Sequence, residues 1–122
     1  MHNMPTLSIT GIKWPIIAPM TTVVIGDDWQ FSFTAMGASS PINLVGYTVH
    51  ALLDIPNAAT LDISYMVDST RLFAGVFTLT VLRSLTATLL PYECGYKIKA
   101  GLIDPSGFKS TLVIVRLEVQ ET

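Results

Sequence analysis

Two histidines, one cysteine and nine carboxylates are where a search for chemistry in this 122-residue chain begins. A nucleophilic centre needs a base beside the nucleophile, and a metal site needs several donors at a fixed spacing. His2 stands at the chain terminus, and His50 falls on the polar parity of an alternating segment, which reads as a surface histidine. Cys94 lies between Glu93 and Gly95 with no cationic neighbour to lower its pKa, so a half-buried structural thiol is expected. Asp27 and Asp28 are adjacent, and Asp54 and Asp104 fall in other loops, but their spacing matches no calcium loop. Aspartates in such places serve turns, by accepting hydrogen bonds from nearby backbone amides. The chain has no zinc spacing, phosphate-cradling glycine loop or nucleophile elbow. A non-enzymatic protein without catalytic residues, cofactor or metal is therefore expected.

The residues that would have to position such groups are unusual in their balance. Half are hydrophobic and only 13% are charged, where a soluble domain usually has about 25%. The length suits one domain that buries about two-thirds of its unfolded surface. High hydrophobicity excludes intrinsic disorder, and few charges remain to cover the outside. The formal net charge is −2 with no basic run, which argues against nucleic acid as a partner. The longest segment free of charge and histidine, Trp29 to Val49, contains Gln30, Pro41 and Asn43, so no membrane helix is expected. The first twenty residues lack a basic segment followed by an unbroken apolar stretch, so no secretory signal is expected either. A lone cysteine permits no internal disulfide and fits cytoplasmic synthesis.

From residue 21 the apolar residues recur with a period of two. Trp29, Phe31, Phe33 and Ala35 alternate with Gln30, Ser32 and Thr34, as on a half-buried strand. The same alternation recurs in Tyr47–Leu53, Leu61–Val67, Phe77–Val81, Tyr96–Leu102 and Val113–Val119. Pro56-Asn57 and Asp104-Pro105-Ser106-Gly107 mark turns. Only Leu82 to Leu90, closed by Pro91, reads as helical, over some two turns. About seven strands joined by turns predict an all-β fold: an antiparallel, immunoglobulin-like β-sandwich over residues 21–122. Tyr96, at the start of the penultimate strand, stands where a tyrosine corner would be expected.

Residues 1–20 differ, because Pro5, Pro15 and Pro19 preclude a helix and interrupt a strand. They predict an extended N-terminal arm with a change of phase at Gly11. Two readings stay open: a first strand on the domain's own sheet, or an arm docked on a neighbouring subunit. Its apolar residues Leu7, Ile9, Ile12, Trp14, Ile16, Ile17 and Met20 are candidate interface residues. Leu112 and Ile114 join them, because they sit on the parity opposite Val113 and Val115 and make the last strand apolar on both faces. Either another segment, such as the arm, or a partner subunit must cover that second face.

Several blocks follow one another in a recognisable order: IGDDWQFSFTA (25–35), PINLVGYTVHALL (41–53), AGVFTLTV (74–81) and LPYECGYKIKAGLIDPSG (90–107). The series resembles the small immunoglobulin-like proteins and domains encoded among the structural genes of tailed bacteriophages and prophages. The resemblance covers roughly residues 21 to 119. It implies a virion part of the tail, baseplate or fibre-attachment region, made in the host cytoplasm. Its partners would be other virion proteins and further copies of itself, with no small-molecule substrate, no nucleic acid and no membrane. Gly26, Asp27, Gly46, Tyr47, Gly95 and Tyr96 match the pattern as structural positions, with Tyr47 expected to begin an inward-facing row. The apolar N-terminal extension departs from the pattern and suits a capsid decoration (cement) protein as the alternative. A β-sandwich that binds surfaces or glycans is a second alternative. It would need exposed loop aromatics, and the loops 54–59 and 104–107 contain none.

Overall fold

The computed structural model describes residues 6–10, 16–36 and 40–121, with the backbone alone for 6–10, 16 and 19. Among the described residues there are nine strands: β1 (Thr6–Thr10), β2 (Ile16–Val24), β3 (Trp29–Met36), β4 (Thr48–Asp54), β5 (Leu61–Asp62), β6 (Val67–Asp68), β7 (Val76–Val81), β8 (Lys97–Ile103) and β9 (Lys109–Gln120). They form two sheets, one ordered β1-β3-β7-β6 and the other β2-β9-β8-β4-β5. The chain is thus the all-β sandwich its alternation predicts. Strands β3-β7-β6 of one sheet face β9-β8-β4 of the other across the core. Two pairings depart from the antiparallel expectation, since β1 runs parallel to β3 and β2 parallel to β9.

The alternating side chains meet between the sheets. Trp29, Phe31, Phe33 and Ala35 of β3 are buried, as are Phe77, Leu79 and Val81 of β7. In register, Phe33 pairs with Phe77, and their rings stack with centroids 5.0 Å apart. The facing layer consists of Val49, Ala51 and Leu53, Ile98, Ala100 and Leu102, and Val113, Val115, Leu117 and Val119. Tyr96 is buried too, and its hydroxyl donates to the Leu90 carbonyl and accepts from the Leu90 amide, each at 3.0 Å. This is the expected corner.

Four local expectations change. Leu61 to Val67 is not one strand: β5 pairs with β4 and β6 with β7, so the segment crosses from one sheet to the other through a single 3-10 turn at Ser64–Met66. Ser64 makes the crossing possible, because its hydroxyl accepts from the Ala51 amide at 2.9 Å where a strand neighbour would otherwise be needed. The helix is a single turn, α1 (Arg83–Thr86). Its Thr86 is held by a hydrogen bond to the Asp27 carbonyl, and the Asp28 carboxylate accepts from the Arg83 amide at 2.7 Å. Tyr47 does not begin the inward row. The turn ending at Gly46 (φ +95°) leaves Tyr47 exposed, and the buried row starts at Val49. Finally, residue 20 falls inside β2, so residues 16–20 belong to a strand that also contains 21–24.

Candidate interaction surfaces

Of the candidates on β2 and β9, Ile17, Met20 and Ile114 meet on the outer face of the five-stranded sheet. Ile17 stands opposite Ile114, Ile114 opposite Lys99, and Lys99 opposite Leu52, which makes one row across four strands. Ile17 is 62% exposed, and Met20, at the irregularity between Ala18 and Thr21, is 55% exposed. The next row sets Arg116 opposite Lys97 and Lys97 opposite Asp54. The Asp54 carboxylate lies 3.0 Å from the Lys99 ammonium and 4.0 Å from that of Lys97. Burial alone would raise the Asp54 pKa, but hydrogen bonds from Lys99 and Thr60 and the two lysine charges outweigh it and hold the carboxyl below its ordinary value. Glu118, further along β9, accepts from Thr22 and Gln120. The face is therefore apolar at its β2 edge and cationic towards β8.

A second surface lies at one end of the sandwich, where the loop 40–47, the turn 72–75 and the hairpin 104–108 come together. The Leu44 amide donates to the Leu72 carbonyl at 2.8 Å, and Pro105 packs 3.6 Å from where a Gly46 Cβ would stand. Gly75 has φ +74°, and a Cβ there would be 2.7 Å from the Ile42 carbonyl oxygen, so glycine alone lets these segments close up. In the hairpin the Asp104 carboxylate accepts from the Ser106 hydroxyl, the Ser106 amide and the Phe108 amide. The hydrogen bonds from Ser106, then from Phe108, hold its pKa below the ordinary value. This frame holds up Ile42, Val45, Tyr47, Phe73 (63% exposed) and Phe108 (70% exposed), all turned to solvent.

The remaining candidates divide. Leu7 and Ile9 belong to β1, in register with Phe33 and Ala35, and Ile16 is in register with Val113. Ile12 and Trp14 lie outside the described residues. Leu112 is a correction: only 6% exposed, it is part of the core and not a surface for partners. The register passes from Ala100–Val113 to Gly101–Thr111, so Leu112 is the extra residue of a β-bulge, and both it and Val113 are buried. His50 is a second correction, being 5% exposed. Cys94 is a third, because it is exposed. Among the described residues no three His, Cys, Asp or Glu side chains are grouped so as to hold a metal ion.

Sequence reading missed Phe73 and Phe108 as surface residues. The available signal was position: each is a large apolar residue just beyond a polar turn, outside any alternating row.

No protein-family model and no curated protein matches the chain. Among solved structures, the N-terminal domain of phage TP901-1 ORF48 is similar, with a TM-score of 0.53 and 12% identity. The likeness covers 96% of this chain and 99% of that one. The two share a fold over nearly their whole lengths. At this identity the likeness concerns backbone architecture, and the surface side chains must be read from this chain itself.

Proposed function

We propose that the protein is a non-enzymatic structural component of a bacteriophage virion, belonging to the tail, baseplate or fibre-attachment region. The observation that carries the reading is the extent of the likeness to a phage domain, which leaves almost no residue of either chain unmatched. The ordered sequence blocks between residues 25 and 107 support it independently. Docking uses the outer face of the five-stranded sheet, where Ile17, Met20 and Ile114 lie beside Lys97, Lys99 and Arg116. Burying one such aliphatic side chain contributes about 1.5–3 kcal/mol, and repetition around a symmetric particle multiplies contacts that are individually weak. The partners are other virion proteins and further copies of the chain, and the site of action is the particle.

The test is incorporation. Deleting residues 1–20 would remove half of β2, so surface substitutions are the cleaner tool. The triple variant Ile17→Ser, Met20→Ser, Ile114→Ser should keep the far-UV spectrum of the parent chain while its recovery in purified particles falls at least about tenfold. Normal incorporation would exclude this face, and complete absence of the parent chain from particles would exclude the virion role. A tag located by electron microscopy separates a tail position from the alternative, decoration of the capsid.

One observation favours a second reading. Tyr47, Phe73 and Phe108 supply the exposed aromatics at one end that a glycan- or surface-binding sandwich requires. Binding of the isolated chain to defined glycans, lost on Phe108→Ala, would support it.

A further inference from the structure

His50 sits in the middle of β4, in register with Gly101 of β8. Its ring does not stop at that neighbour. Nε2 lies 3.0 Å from the carbonyl oxygen of Ser110, which belongs to β9, the strand beyond. The imidazole thus passes over β8 at the one residue of that crossing without a side chain. A Cβ on Gly101 would be 2.6 Å from Nε2 and would overlap the Ser110 carbonyl oxygen. The ring is buried, and its Nδ1 has neither solvent nor, among the described residues, a hydrogen-bond partner. Neutral imidazole fits this arrangement, with Nε2–H donating to Ser110 and Nδ1 bare. Imidazolium would keep the Nε2–H donor to Ser110 but does not fit, since it would place a second N–H and a full charge where no described residue accepts that N–H.

We propose that His50 is an acid-released latch that ties β4 to β9 across Gly101 while neutral and lets go of the β8–β9 hairpin when protonated. Ser110 is two residues from Phe108, so release loosens the hairpin that presents that aromatic. The charged groups facing the ring are few and opposed. Lys109 of β9 disfavours its protonation, Asp62 of β5 favours it, and β8 contributes Gly101 itself, its Lys99 being engaged with Asp54. Burial is the largest influence and holds the pKa below 6.5; the Ser110 hydrogen bond works in the other direction without overcoming it.

The experiment is an NMR titration of the full chain between pH 8 and 5, following the His50 ring and amide hydrogen exchange corrected for its intrinsic pH dependence. The ring should titrate below 6.5. Amides of the β8–β9 hairpin should lose protection as the pH falls below 6.5, by up to about tenfold per pH unit, while those of β3 and β7 hold. His50→Gln keeps a donor for Ser110 without a titrating group and should abolish the loss. A ring that titrates at 6.5 or above overturns the proposal. So does a loss of protection spread evenly over both sheets, or one unchanged in His50→Gln. Should that variant fail to fold, the titration and exchange of the parent chain decide alone.

Discussion

Ile17 and Ile114 stand opposite each other in parallel register on the same face, yet the first is mostly exposed and the second only partly. The difference is position in the sheet: β9 has a strand on each side, whereas β2 lies at the edge. Substituting Ile17 should therefore cost little stability. Ile17→Ser is expected to stay within about 0.5–1 kcal/mol of the parent chain. Leu112→Ala, in the bulge beneath, should cost about 2–5 kcal/mol. Urea denaturation of the two variants side by side separates surface from core, and equal losses would contradict the burial of Leu112.

Gly101 should tolerate no side chain. The Cβ of Gly101→Ala would meet both the Ser110 carbonyl oxygen and His50 Nε2, so the β8–β9 ladder or the ring must move. A loss of about 3 kcal/mol or more is expected. The double variant Gly101→Ala, His50→Ala should recover part of it, because one of the two obstacles is gone. A double-mutant cycle by chemical denaturation measures the coupling.

Tyr96→Phe removes one hydroxyl and with it two hydrogen bonds to the Leu90 backbone. The expected cost is about 1–3 kcal/mol. The core packing of the ring should survive, so near-UV circular dichroism outside the tyrosine band should be unchanged.

Stability should fall with acid in two separate windows. The folded-state pKa of His50 lies below its ordinary 6.5, so as the pH drops the unfolded chain takes up that proton first. Its contribution is complete above 6.5, declines as the pH falls through that value, and levels off below the folded-state pKa. Asp54, Asp62, Asp68 and Asp104 are all held below 3.8, so their contribution is present above 3.8 and is lost as the pH falls through their folded-state values. Thermal melts from pH 8 to 3 should show both declines, and His50→Gln should erase the first while leaving the second.

How far the sequence could be read depended on what kind of information each residue carried. Phe31, Phe33, Leu79 and Val115 are core because a period of two puts them on one face of a strand, and that is local information. His50 obeyed the same parity and was misassigned, because its burial depends on Gly101 and Ser110, which are about fifty and sixty residues away. Leu112 was misassigned for a related reason: a bulge adds one residue, and parity cannot be carried across it. Of the surface face, Ile17, Met20 and Ile114 were legible as an apolar surplus. Their association with Lys97 and Arg116 was not, since it depends on register between strands.

By itself the sequence determined the class of fold, most of its core and the turn at Asp104–Gly107, because alternation and turn chemistry act within a few residues. Tertiary structure alone decided which strands run parallel, how residues 61–68 pass between sheets, and which aromatics end in solvent. Those outcomes rest on hydrogen bonds and contacts between segments distant in the chain, such as Leu44 with Leu72 and Thr86 with Asp27. No local pattern encodes such pairings, because each partner's environment exists only once the other has arrived.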